Sequence, residues 1–255
     1  MVSTSRKFFK DSLEVNVFNS RLEMGQDAAE RVAHKINELL QSKEQINMIF
    51  AAAPSQNEFL EALLTKKIDW SRINAFHMDE YIGLDAAAPQ GFGNFLRDRL
   101  FGKVPFAMVQ YLNGNAAAPE EECKRYAAIL KNFPADICCM GIGENTHLAF
   151  NDPHVADFND PEMVKVVELD LECRQQQVND GCFTELSEVP THALTLTVPT
   201  LFAAKYAYCM VPGEKKAPAI QHTLNADITE TFPSTILRNH PMAILFIDEA
   251  SSALI

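Results

Sequence analysis

The chain has 255 residues, 47% hydrophobic and 22% charged, a composition that excludes a disordered, collagen-like or disulfide-stapled protein and fits an ordinary globular one. Lys and Arg number 22 against 34 Asp and Glu, and the resulting charge of −12 repels phosphate backbones and anionic lipid, so neither nucleic acid nor membrane is expected as a partner. A small phosphorylated substrate stays compatible with that charge, because a few local cations or a helix N-terminus hold one phosphate.

In chain order, Met1–Lys10 carries charge but no apolar core of signal-peptide length, and no apolar run approaches the ~18 residues of a membrane span. The segment Gly25–Leu40 places Ala28, Ala29, Val32, Ala33, Ile36, Leu39 and Leu40 at helical spacing. Ile46–Ala53 reads as a buried strand, Pro54-Ser55-Gln56 as a turn, and Phe59, Leu60, Leu63 and Leu64 as a second amphipathic helix. The alternation recurs. Strands are predicted at Ile73–Met78, Asp136–Gly141, Ala193–Val198, Tyr206–Val211 and Ala243–Ile247, with a helix from about Lys215. Strands separated by helices predict an α/β fold: three layers, a doubly wound, mostly parallel, Rossmann-like sheet with helices on both faces. Ala-Ala-Ala-Pro occurs at 51, 86 and 116 with different flanks and unequal intervals, so it is no repeat, and no linker divides the chain. A single domain, 1–255, is expected. The six cysteines show no CxxC pairing, and Ile137-Cys138-Cys139-Met140 packs thiols as small hydrophobes, so a reducing, cytoplasmic setting is expected.

In open α/β sheets ligands lie beyond the carboxyl ends of the strands, which directs attention to the polar residues after each apolar run. His77-Met78-Asp79-Glu80-Tyr81-Ile82-Gly83 supplies two carboxylates and a phenol, or a turn with solvated acids. In Met140–Pro153, Gly141 and Gly143 allow close backbone approach, and His147 followed by Asp152 makes an imidazole–carboxylate pair for proton transfer near neutral pH, or a structural histidine at a strand end. The glycines lack the third member of a dinucleotide fingerprint, and no HExxH or CxxC ligand set occurs, so neither a cofactor nor a metal is expected. Arg174, Lys215 and Lys216 are scattered cations near strand or loop ends, phosphate grips or solvated surface charges, and Pro54-Ser55-Gln56 at a helix start is an anion site or an N-cap at Ser55.

These motifs resemble the glucosamine-6-phosphate deaminase (isomerase) family, part of a wider group that includes 6-phosphogluconolactonases. Phe76–Gly83 is similar to the family's F-x-M-D-E-Y-x-G, and Gly141–Pro153 to its G-x-G-x-x-G-H-x-x-F-N-x-P. Val211–Ala217 is similar to G-x-x-K-A, and Asn239-His240-Pro241 is also family-like. The resemblance implies that an amino-sugar 6-phosphate, glucosamine or galactosamine 6-phosphate, is isomerised and deaminated to the ketose 6-phosphate and ammonia without a cofactor. It implies Asp79 as the base that carries the C2 proton, His147 as the ring-opening group oriented by Asn145 and Asp152, and Ser55, Gln56, Glu80, Arg174 and Lys216 as substrate-binding residues. It also implies a homo-oligomer. Departures accompany it. Ala51–Gln56 stands where many members have a Gly-rich phosphate loop, Thr146 replaces a glycine, Asn145 cannot ionise, and Gly181 stands where many members carry an arginine that Arg174 is expected to replace. A 6-phosphogluconolactonase-type hydrolase is the alternative enzyme, although that group continues the histidine motif as G-H-x-A-S-L-F-P. A sugar-phosphate-binding protein without turnover is the third reading.

Overall fold

The computed structural model describes residues 4–255; the first three residues of the segment read for a leader lie outside it. The elements follow as β1 (Arg6–Lys10), β2 (Leu13–Phe18), α1 (Arg21–Leu40), β3 (Ile46–Phe50), α2 (Asn57–Leu64), β4 (Ile73–His77) and β5 (Asp79–Tyr81). Then come α3 (Phe92–Leu96), β6 (Met108–Gln110), α4 (Pro119–Asn132), β7 (Ile137–Met140), β8 (Val164–Glu168) and α5 (Leu171–Asn179). The chain ends with β9 (His192–Leu196), α6 (Val198–Phe202), β10 (Tyr206–Val211), α7 (Ala217–Asn225) and β11 (Ala243–Asp248).

Eight strands form one sheet in the order β1-β2-β11-β10-β7-β3-β4-β6, parallel throughout except for β1 against β2. Both faces are buried, and the side-chain alternation shows it. Ile46, Met48 and Phe50 of β3 pack with Met24, Ala28 and Val32 of α1 and Phe59 and Leu63 of α2, while Ile49 and Ala51 point to the cluster that holds Tyr126 and Leu130 of α4 and Ile220 and Leu224 of α7. The three-layer, doubly wound α/β architecture expected from the sequence is therefore the one observed. From β3 the chain moves outward through β4 to β6, then returns to β3's other flank for β7 and continues to β10 and β11. Winding reverses between β3 and β7, and the crevice outside their carboxyl ends is where a ligand site belongs.

One expected strand belongs elsewhere. The Ala193–Val198 run does not join the parallel sheet; as β9 it is the middle strand of a separate three-stranded antiparallel sheet, order β5-β9-β8. The polar turn expected after His77 is also a strand, since Asp79–Tyr81 pairs Asp79 with Thr195 and Tyr81 with Ala193. Pairing with distant residues overrode local propensity at both places. This small sheet closes over the carboxyl end of the large one and carries Asp79 with it. Among the described residues no helix is long and apolar enough to cross a membrane.

Candidate active site

Four loops at the carboxyl ends of β3, β4, β7 and β10 converge on one cavity. Ala51–Ala53 and Ser55 line it from the first, Met78 and Asp79 from the second, Gly141–Gly143 and His147 from the third and Lys216 from the fourth, with Gln176, Gln177 and Asp180 of the α5 region and Phe92 closing the sides.

Asp79 is 5% exposed, and its carboxyl has no hydrogen-bond partner among the described residues. Burial pushes its pKa well above the ordinary carboxylate range, and the neighbouring Glu80 charge adds to the effect. The backbone beneath it is braced by His77, a buried imidazole whose Nδ1–H donates to the Asp79 carbonyl (2.8 Å) while Nε2 accepts from Leu112 N–H (3.0 Å). Both nitrogens are thus assigned, and burial lowers this histidine's pKa to about 4, so it stays neutral as a fixed prop. The hydroxyl of Tyr126 donates to His77 O (3.0 Å) and accepts from His77 N–H (3.1 Å), locking the strand end further.

His147 has a different setting. Its Nδ1 lies 2.6 Å from Asn145 Oδ1 and 3.1 Å from Asp152 Oδ1, both acceptors, so the network assigns the ring proton to Nδ1 and leaves Nε2 as the basic nitrogen. Asn145 is held in turn, its Nδ2 donating to Asp152 Oδ1 (3.0 Å) and to Asp170 Oδ2 (2.9 Å). Burial acts to raise the Asp152 carboxyl, but the contact with His147 and the hydrogen bonds from Asn145 and the Asp170 N–H outweigh it and hold the pKa below the ordinary value. Asn145 cannot ionise, yet Asp152 provides the carboxylate against the imidazole. The ring lies against Gly143, where an added Cβ would sit 2.1–2.3 Å from its atoms, so only glycine admits the imidazole there. Thr146 has φ 70°, a left-handed conformation unfavourable for a β-branched residue, which locates the misfit of its replacing a glycine.

Lys216 is 7% exposed, and its ammonium has no hydrogen bond or ion pair among the described residues. Burial lowers its pKa, against the favourable charges of Asp180 and Glu144. A buried cation without a partner is costly, and an incoming anion relieves that cost. Ser55 lines the same cavity, whereas Gln56 lies behind it, donating from Nε2 to Ser55 Oγ (3.1 Å) and to Met210 O (3.2 Å).

Two further residues expected to bind substrate do not line the cavity. Arg174 is turned away: its Nη2 donates to Leu186 O and Val189 O, both at 2.8 Å, because α5 faces that irregular segment on its outer side. Glu80 points off the opposite face of β5 from Asp79, as strand alternation requires, and accepts from the backbone N–H groups of Tyr81 (3.0 Å), Phe92 (2.9 Å) and Gly93 (2.8 Å). It fastens Phe92, a wall of the cavity. His77, Phe92, Gln177 and Asp180 were missed; of these, His77 alone had a sequence signal, lying at the end of the predicted strand Ile73–Met78, two positions before Asp79.

Spacing rules found no metal ligand set, but folding gathers two candidate donor groups among the described residues. His147, Asp152 and Cys173 place one donor atom each within 4.8 Å of one another, as do Asp152, His154 and Asp170. The imidazole and carboxylate atoms of the first group already serve the hydrogen-bond network described above.

A family model described as glucosamine-6-phosphate isomerases/6-phosphogluconolactonase matches residues 19–245. The chain belongs to this family. Within it, the chain is 33% identical to a glucosamine-6-phosphate deaminase of Bacillus cereus (strain B4264) over 229 residues, 90% of this chain and 86% of the relative. It is 32% identical to one from Exiguobacterium over 88% of this chain and 87% of that one. Among solved structures, a monomeric glucosamine-6-phosphate deaminase of the NagB superfamily superposes with a TM-score of 0.87 at 28% identity, covering 94% of this chain and 99% of that one. A 6-phosphogluconolactonase of Thermotoga maritima superposes at 0.75 with 19% identity over 92% and 99% of the two chains, a likeness of fold.

Proposed function

We propose that this chain, as a single domain, isomerises and deaminates an amino-sugar 6-phosphate, glucosamine or galactosamine 6-phosphate, to the ketose 6-phosphate and ammonia. The observation that carries the reading is the cavity's pair of buried ionisable groups without a partner among the described residues, the Asp79 carboxyl and the Lys216 ammonium, in the same cavity as a histidine whose Nδ1 is tied and whose Nε2 has no partner among them. His147 Nε2 takes the proton of the sugar's O1 hydroxyl and returns it to O5 as the ring opens. Asp79 then removes the C2 proton while an ammonium N–H proton passes to O1, giving the enolamine; Asp79 delivers the carried proton to C1, and the resulting C2 iminium adds water and expels ammonia. A carboxyl whose pKa burial raises is a fitting base for a weak carbon acid and a fitting acid for the return step. Lys216, with Ser55, is the anchor for the phosphate.

The deaminase relatives at 32–33% identity support this reading over lactone hydrolysis, for which the support is fold alone. Phe150-Asn151-Asp152-Pro153 places at Asp152 the carboxylate that faces His147, which the lactonase continuation of the motif would lack. The monomeric relative shows this fold complete in one subunit, so the homo-oligomer implied by the resemblance gains no support from it. The test is ammonia release from glucosamine 6-phosphate and galactosamine 6-phosphate, run beside hydrolysis of 6-phosphogluconolactone. Ammonia from either sugar with an intact lactone supports the reading. Lactone hydrolysis without ammonia, or no turnover of any of the three, refutes it.

A further inference from the structure

With Arg174 turned outward, Lys216 is the one Lys or Arg among the described residues that lines the catalytic cavity. A phosphate dianion calls for more positive charge than one ammonium supplies. The cavity continues beyond Ala52, Ala53, Phe92, Gln177 and Asp180, residues that line both spaces, into a second cleft whose wall includes Arg99. Arg99 lies in the π-helical turn Arg97–Phe101 that follows α3. Its guanidinium is fixed rather than free to roam: the carbon lies 3.9 Å from the centre of the Phe95 ring, and Nε donates to Asn57 Oδ1 at 2.8 Å. Among the described residues its two terminal amino groups have no protein acceptor, which leaves a fork of four N–H donors available. Gly181, on the same wall, contributes no side chain, and an added Cβ there would meet nothing within 4 Å. Asp180, which lines both spaces, and Asp98, which lines the Arg99 cleft, are the opposing charges.

We infer that Arg99 is the second phosphate-binding cation of this site, gripping from the α3 side an anion that Lys216 holds from the α7 side. The inference rests on the sugar-phosphate reading above. Its test is calorimetric titration with glucitol 6-phosphate, which cannot isomerise, with glucitol as the phosphate-free control. The parent is expected to bind the phosphorylated probe and not the control. Arg99→Gln should weaken that binding roughly 10-fold or more, as loss of a charge-assisted contact does. Arg99→Lys should recover part of the loss, and Asp180→Asn should tighten binding several-fold by removing the like charge. The inference is overturned if Arg99→Gln binds the probe as the parent does, if Asp180→Asn weakens binding, or if the parent does not bind; should Arg99→Gln fail to fold, Arg99→Lys and Asp180→Asn decide. If ammonia release is absent while probe binding depends on Arg99, the deamination reading falls and this inference stands. If ammonia is released and its KM ignores Arg99→Gln, the reverse holds.

Discussion

The two sides of the catalytic cavity are built on opposite principles. Around His147, Asn145, Asp152 and Asp170 satisfy one another through hydrogen bonds of 2.6–3.1 Å, and the imidazole's tautomer is settled before any substrate arrives. Asp79 and Lys216 are equally buried yet have no partner among the described residues. The first side is preorganised, with His147 Nδ1 and the side chains of Asn145 and Asp152 tied to one another. The second stores unfavourable energy, which on the proposed reading a substrate's C–H and phosphate discharge. A stability–function trade-off should therefore appear on the second side and be absent from the first.

The largest expected effect tests that contrast at Asp79. Asp79→Asn should reduce turnover by about 10²–10⁴-fold and at the same time raise the melting temperature. The sign follows from its raised folded-state pKa. Between the ordinary carboxylate value and the raised one, the folded protein holds a proton that the unfolded chain has released, so stability falls as pH rises through that window. The variant's gain in melting temperature should thus grow with pH above about 4. A variant less stable than the parent at neutral pH would break the contrast.

On the preorganised side, His147→Gln should lower the rate on ring-closed substrate by about 10²-fold or more, damage an open-chain analogue less, and produce no gain in melting temperature. Asp152→Asn should be destabilising as well as slow. The lowered pKa of Asp152 means that its contribution is present above the ordinary carboxylate range and lost as pH falls through the folded value. Its cost in melting temperature should therefore shrink in acid. Equal rate losses on closed and open substrates for His147→Gln would assign the histidine a structural role.

Lys216→Met comes next. Loss of a charge-assisted contact, about 1.5–3 kcal/mol, corresponds to roughly 10–100-fold weaker binding of the phosphorylated sugar. The variant should melt no lower than the parent, because burial disfavours the ammonium in the folded state. Unchanged discrimination between phosphorylated and free sugar would remove Lys216 from the phosphate site.

The smallest effect concerns strain within the His147 loop. Thr146→Gly should stabilise the protein by about 0.5–1 kcal/mol through relief of the positive φ, set against the greater unfolded-state freedom of glycine. Thr146→Ala, which keeps the Cβ, should not. Chemical denaturation of the two variants measures the difference.

The sequence made the large sheet legible because β3, β4, β7, β10 and β11 are short apolar runs buried on both faces, and such runs stand out between helices. It hid β1, β2 and β6 of that sheet, β5, β8 and the placement of β9, since a short strand such as Asp79–Tyr81 is specified by its distant partner and not by its own residues. Residues on the loops after the strands were legible as site candidates, because the fold type alone says where ligands lie. Direction was not. Arg174 and Glu80 carry the right charges at suggestive positions, and their roles turned on where α5 faces and which side of β5 points inward. Asp180 and Arg99 reach the cleft from elements whose packing no local pattern announces.

The central claim is that Asp79 carries one proton from C2 to C1 inside a cavity where His147 has only opened the ring. Nuclear magnetic resonance of the ketose product, formed in ordinary water from substrate labelled with deuterium at C2 and in heavy water from unlabelled substrate, measures that transfer directly. The parent is expected to place one new hydrogen stereospecifically at C1, part of it carried over from C2 and the rest from solvent, and Asp79→Asn to give no C1 incorporation while still binding glucitol 6-phosphate. C1 labelling that persists at the parent's rate in Asp79→Asn would contradict it.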